Sequence, residues 1–592
     1  MKRPQGNSNP GDRGQLSIPA LRKDFFGAVK NWARSLSGVG LVLGFLFFAA
    51  SLTPTLIPRT YFMQGVLAGG CFSLGYALGV FWRWLWRYLE LPEPSDRVRF
   101  TVSIITTAFA VGVALYCLAR SASWQNSIRS VMNMTPVETA HPIKLTIVAL
   151  LVFFVLLLLT RLFAAFKRFL SARMGRYIPR RIASVIAFTL AAFFFWSIGN
   201  NLLFHSILGA LDSSYRQLDA LIEPERPRPT EEGKTGSAAS LVRWEELGRA
   251  GREFVALGPS AQEISAFTKR AAQELIRVYV GLRGAETAKQ RAALALEELK
   301  RQGGFDRAVL VVITPTGTGW VDPSAMTPVE YLHDGNIASV AVQYSYLSSP
   351  LSLLVQPEYG NESATALFSA IYGYWATLPR EKRPKLYLHG LSLGSFNSER
   401  SFQLFETIGD PIHGALWSGP PFANRIWRHV TANRNPVSPA WLPIFRDSSI
   451  VRFMNQNGPV VPSDTPWGPL RVVYLQYASD AIVLFSYQDA FRRPDWMNAP
   501  RGPDVSPELR WYPIVTMLQL AVDMVFSTKT PMGVGHVYAP EHYVDAWLAV
   551  TGVRRLPPDE ITALKVHLAR KAKQDADHPS TDGQAPYSNR GG

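Results

Sequence analysis

Lys385-Leu386-Tyr387-Leu388-His389-Gly390-Leu391-Ser392-Leu393-Gly394-Ser395-Phe396 is the stretch around which the chain is organised. Leu386, Tyr387 and Leu388 form a short apolar run, as in a strand buried within a parallel sheet. Gly390-Leu391-Ser392-Leu393-Gly394 then matches the G-x-S-x-G pattern of a nucleophile elbow. In that turn the serine backbone is strained, and glycines two residues to either side remove side chains that would clash. A helix-compatible segment, Ser395 to Thr407, follows. Its free N–H groups would point at any oxyanion forming on the serine.

Strands and helices alternate on both sides of this element. Apolar runs predict strands at Ile276–Leu282, Ala308–Thr314, Ala338–Tyr344, Gly414–Ser418 and Arg471–Tyr477. Ala285–Gln302, closed by Gly303-Gly304, and Ala364–Thr377 read as helices. This alternation predicts an α/β fold with a mostly parallel sheet, whose site lies at the carboxyl ends of the strands. Asp480 stands just past the strand Arg471–Tyr477, where a carboxylate can orient an imidazole. His536 follows in the glycine-rich loop Pro531–Val537. The order Ser392, Asp480, His536 selects it from the other histidines, with His542 as the alternative. His389 sits inside the elbow strand and reads as a core residue. The loop Pro315-Thr316-Gly317-Thr318-Gly319-Trp320 ends an early strand. Its Gly317 or Thr318 N–H is expected to complete an oxyanion hole with the N–H of Leu393.

The N-terminal part has a different character. The 592-residue chain is 47% hydrophobic, yet its mean hydropathy is only +0.03. The average conceals a very apolar first third and an ordinary globular remainder. Five apolar stretches approach or exceed the roughly 18 to 20 residues that cross a bilayer. They are Val39–Ile57, Tyr61–Phe81, Phe100–Leu118, Leu145–Phe163 and Ile182–Ile207. The net charge is +16, and basic residues cluster in the N-terminal tail and in the second and fourth connections, while the first carries only Arg59 and the third Arg120, Arg129 and Lys144 in a longer polar stretch. Basic residues flanking apolar spans argue for a membrane partner and against nucleic acid. The same bias predicts a cytoplasmic N-terminus and a globular domain on the opposite, extracytoplasmic side. No span carries an acidic residue near its middle, which disfavours transport. Cys71 and Cys117 are the only cysteines, and both lie in apolar segments, leaving no Cys-based metal site in the globular part. No cofactor and no metal is expected.

The predicted organisation is a basic tail (1–38), a transmembrane bundle of about five helices (39–207), a linker and helical connection (208–275) and the α/β domain (276–556). A helix and a disordered tail (557–592) complete it. An amphipathic helix is expected at Asp212–Glu223. The long excursions Phe422–Pro469 and Phe491–Thr530 are expected to cap the site. Within the second, the apolar Trp511–Phe526 is expected to line an acyl pocket, face the membrane or pack in the core.

Several of these segments together resemble the bacterial family of membrane-anchored α/β-hydrolases with their own multi-span N-terminal domain. They are Ile276–Leu282, Thr316–Trp320, Gln343-Tyr344-Ser345-Tyr346, the Ser392 elbow, Tyr477-Ala478-Ser479-Asp480 and Gly535-His536-Val537-Tyr538. The resemblance covers most of the chain and implies a serine-hydrolase fold. The expected activity is cleavage of an ester or related acyl bond, on membrane lipids or a lipid-linked ester. Acyl transfer through the same serine is the alternative, and a non-catalytic scaffold or lipid-binding module on the same fold is the rival from another class.

Overall fold

The computed structural model describes residues 36–200, 217, 219–223, 226–347, 349, 352, 357–402, 404–459, 465–553 and 555–577. Most of the basic tail, the end of the last apolar stretch, half of Asp212–Glu223 and the C-terminal tail lie outside the described residues.

Eight strands form one sheet: β1 (Ile276–Val280), β2 (Val309–Thr314), β3 (Ile337–Val342), β4 (Lys385–Leu391), β5 (Gly414–Ser418), β6 (Val451–Asn455), β7 (Gly458–Pro459) and β8 (Arg471–Leu475). Their order is β1-β3-β2-β4-β5-β8-β6-β7, and every pairing is parallel except the short β6–β7 edge. All residues of β1, β2, β3 and β5 are buried, because helices cover both faces. That is why these strands read as continuous apolar runs. The crossover helix Ala288–Arg301 starts with a capping box between Thr287 and Gln290. Gly303, at φ +71°, closes the turn after it. The excursion Phe422–Pro469 is not a cap throughout. Its Val451–Asn455 joins the sheet as β6, parallel to β8. A short run bounded by turns looks the same in sequence whether it caps a site or extends a sheet edge.

The apolar N-terminal helices are α1 (Gly38–Ser51), α2 (Tyr61–Tyr88), α3 (Asp96–Val131), α4 (Pro142–Met174) and α5 (Arg180–Ser197). Among the described residues four helices, not five, are long and apolar enough to cross a membrane. The exception is α1, with 14 residues. At 1.5 Å per residue it extends about 21 Å, short of a hydrocarbon core of about 30 Å. Pro54 and Pro58 prevent its continuation. α1 packs on α2 and α3, α2 on α4, and α4 on α5. Glycines make the first and third of these contacts close. A Cβ at Gly79 would lie 2.6 Å from Gly40 Cα, and one at Gly69 2.5 Å from Ala149 O.

The segment after α1 is buried under the globular domain. Leu56, Ile57, Ile128 and Met132 belong to the same core cluster as the sheet residues. Arg59 is enclosed there, with Nε and Nη2 donating to Asp523 Oδ1 at 2.9 and 2.7 Å. Asp523 lies on the helix Val515–Phe526, which contacts α1 and α2. Asp523 Oδ2 accepts the Leu56 N–H, and Gln519 donates to the carbonyls of Ser51 and Thr53. The excursion Phe491–Thr530 therefore docks the globular domain onto the apolar helices. Docking engages the carboxyl end of α1, the amino end of α2 and the carboxyl end of α3. The basic connections Arg83–Arg99 and Lys167–Arg181 lie at the opposite helix ends.

Candidate active site

The elbow forms at the carboxyl end of β4. Ser392 has φ 55° and ψ −125°, and the helix Leu393–Ser401 begins immediately after it. A side chain at either flanking glycine is excluded. A Cβ on Gly390 would lie 2.4 Å from the Gly394 carbonyl carbon, and one on Gly394 2.3 Å from Thr314 O. The positive φ at a non-glycine residue is strain that the surrounding packing must hold. Ser392 N–H donates to Ser418 O at 2.9 Å, and Ser395 Oγ donates to Ser392 O at 2.7 Å. Ser392 is buried. Helix position places the Leu393 N–H among the first free donors, and no hydrogen bond engages it among the described residues.

Asp480 follows β8, two strands away from β4, and His536 lies over the end of β5, the strand between them. Its Nδ1 lies 2.6 Å from Asp480 Oδ2. The ring covers the end of β5, since a Cβ on Gly419 would meet His536 Cε1 at 2.5 Å. Neighbouring strands lie about 4.8 Å apart, so a ring over the middle strand spans from Asp480 toward Ser392. His536 Nε2 is buried and has no hydrogen-bond partner among the described residues. The alternative, His542, points elsewhere: its Nδ1 meets Tyr477 Oη at 2.5 Å, and burial pushes its pKa down to about 4. His389 is likewise a core residue, bonded to Leu416 O at 2.9 Å and pushed to about 4 by burial.

Asp480 is fully committed. Its Oδ1 accepts the Ile482 N–H at 2.9 Å, and its Oδ2 also accepts Tyr538 Oη–H at 2.8 Å. Burial first, then the Asp480 charge, hold the Tyr538 phenol well above its usual pKa, so it remains a donor. Sequence reasoning missed Tyr538, although it lies two residues after His536. It also missed Ser479 and Asp504. Ser479 Oγ donates to Asp504 Oδ2 and accepts the Gly535 N–H at 2.7 Å, tying the acid loop to the histidine loop. A further buried carboxyl, Asp322, faces Tyr543 and His536, and burial pushes it up to about 7.

The loop after β2 leaves the sheet beside the elbow, because Thr314 pairs with Gly390. Gly317 N–H donates to Ser349 Oγ at 3.1 Å. No hydrogen bond engages the Thr318 N–H among the described residues, and Thr318 O accepts from Gln343. Among those residues no group of three or more His, Cys, Asp or Glu side chains is arranged to hold a metal ion.

Comparison with known proteins agrees with this architecture. Residues 276–564 match a model described as the alpha/beta-hydrolase family, and residues 52–259 match its companion for the N-terminus of that family. No curated protein and no solved structure matches the chain. With both its sheet domain and its apolar N-terminal domain matched, the chain belongs to the alpha/beta-hydrolase family.

Proposed function

We propose that this protein is a membrane-bound serine hydrolase that cleaves an ester or related acyl bond of a lipid or lipid-linked substrate. One observation carries the reading. His536 has Nδ1 on a buried carboxylate and Nε2 unpaired, and its ring lies over the end of β5, the strand next to the one that ends in the strained Ser392 elbow. In this reading Ser392 Oγ attacks the acyl carbonyl while its proton passes to His536 Nε2. Asp480 fixes the tautomer and stabilises the imidazolium. The Leu393 N–H and the Thr318 N–H receive the developing oxyanion; the Gly317 N–H, engaged by Ser349, serves the loop instead. Collapse expels the alcohol, which takes the proton from His536. Water then attacks the acyl-serine by the same route and releases the acid. An alcohol in place of water gives acyl transfer, which is the alternative outcome of the same intermediate.

The membrane-facing substrate is supported by the docking helix Val515–Phe526. It leads through the turn Ser527–Lys529 directly into the His536 loop, where His536 N–H donates to Ser527 O at 3.0 Å. The catalytic histidine thus hangs from the element that seats the domain on the apolar helices. Labelling of the full-length protein with a fluorophosphonate probe tests the assignment. Wild type is expected to label, and Ser392→Ala is expected to lose the signal. Undiminished labelling of Ser392→Ala refutes the nucleophile.

A further inference from the structure

Apart from the Ser392 site, an open cavity lies in the segment that precedes the docking helix. It has a volume of about 390 Å³ and is lined by Arg493, Met497, Arg501, Leu509, Arg510, Trp511 and Tyr512. Three guanidinium groups around one open cavity need a reason, because like charges in one place repel. None of the three is ion-paired among the described residues; the nearby Asp495 is taken by Arg434 and Arg492. Arg501 is fixed by backbone carbonyls, donating to Ser506, Pro507 and Leu509 at 2.9 to 3.0 Å. Burial first, then repulsion from Arg510 and Arg493, hold its pKa below the usual value. Arg493 donates to Met497 O, and Arg510 has no hydrogen-bond partner among the described residues. Arg493 and Arg510 are exposed.

The position of the cavity supplies the second half of the argument. Its Tyr512 packs against the apolar cluster of Leu67, Cys71 and Val515. Leu67 and Cys71 lie on α2, about 9 and 15 Å from its start at Tyr61 by helical rise. One wall therefore reaches into the apolar layer. Arg510 also lines a cleft with Pro54 and Thr55, beside the carboxyl end of α1. Cations at the rim, a Trp and a Tyr between, and apolar helices below are the layering of a membrane interface. Arginine forks match phosphate oxygens, and an anion would relieve the repulsion among the three.

We propose that this cavity binds the phosphate-bearing headgroup of an anionic membrane lipid, with Arg493 and Arg510 as its ligands and Arg501 as a fixed charge behind them. The site stands on the junction geometry and not on the chemistry of Ser392, so loss of the hydrolase reading leaves it intact.

The test uses full-length protein in mild detergent, supplied with phosphatidylglycerol or phosphatidylcholine and read by native mass spectrometry. Wild type is expected to retain phosphatidylglycerol in preference to phosphatidylcholine. Arg493→Gln/Arg510→Gln is expected to retain roughly thirtyfold less, and Arg510→Gln alone roughly fivefold less. Arg492→Gln, an exposed neighbour outside the cavity, should behave as wild type. A second readout is the melting temperature, expected to rise with phosphatidylglycerol in wild type and not in the double variant. Equal retention by wild type and double variant overturns the proposal. An Arg492→Gln loss as large as that of the double variant also overturns it, because only general surface charge is then being read. Displacement of the lipid by equimolar inorganic phosphate would show a site for free anions and overturn the lipid assignment.

Discussion

Replacing Asp523 by alanine should detach the globular domain from the apolar helices. The carboxylate accepts three hydrogen bonds from the loop after α1: two from the Arg59 guanidinium and one from the Leu56 N–H. Both charged side chains are essentially inaccessible, at 1% and 0% exposure. Asp523→Ala leaves Arg59 buried with two uncharged acceptors, Gln519 O and Gln64 Oε1. Removing one partner of a buried pair costs about 3–5 kcal/mol, and an orphaned buried N–H costs about 1–3 kcal/mol. The two overlap, so a loss of about 4–5 kcal/mol is expected, which at about 2–4 °C per kcal/mol is a fall of roughly 8–20 °C in Tm. The cost arises from the unpaired charge and not from the pair as such. Removing both charges together, in Arg59→Met/Asp523→Leu, should therefore recover most of the stability.

The assay is thermal unfolding of the full-length protein in detergent, with fluorophosphonate labelling as a second measurement. Because the docking helix leads into the His536 loop, labelling of Asp523→Ala should fall even below its melting temperature. A Tm within about 2 °C of wild type would refute the clamp, since an exposed ion pair is worth no more than about 1 kcal/mol. A double variant as unstable as Asp523→Ala would refute the unpaired-charge mechanism.

Two other predictions concern the buried acid and the topology. Asp322 remains protonated in the folded protein up to about pH 7, whereas its usual value is 3.8. Between these limits the unfolded chain has released a proton that the folded one keeps, so wild type loses stability as pH rises through the window. Asp322→Asn lacks this loss, and its Tm relative to wild type should climb from about pH 4 to 7 and then level off; a pH-independent difference refutes the shift. The basic connections lie at helix ends opposite the docked domain, so reporters fused after Arg99 and within the globular domain should fall on opposite sides of the membrane; finding both on one side refutes the arrangement.

Local chemistry made much of the architecture legible in sequence. The runs Val309–Thr314 and Ile337–Val342 are continuous apolar strands because both sheet faces are covered. The elbow announces itself because no Cβ fits at Gly390 or Gly394. Polar contacts between distant segments leave no such signature. Asp504 reaches Ser479 across 25 positions, and Arg59 reaches Asp523 across 464. Neither residue sits in a pattern that marks it. Val39–Ile57 was legible as apolar but not as two things. Its helix stops at Ser51, while Leu56 and Ile57 are buried against protein. Hydropathy measures the wish to leave water and does not name the destination.

That ambiguity bears on what the N-terminal domain is for. A simple anchor would join the globular domain through an exposed linker and could be exchanged for any other apolar helix. Here the loop 51–59 is buried, donates to Asp523 and accepts from Gln519, and its Leu56 and Ile57 share the core cluster of the sheet. The elements that meet it, Gln519 and Asp523, stand two turns and one turn before the point where the chain swings toward His536. A globular domain cut from its apolar helices would expose a buried aspartate face and an apolar core edge next to the histidine loop. The two domains therefore share one buried interface, and it ends about one turn before the chain swings toward His536.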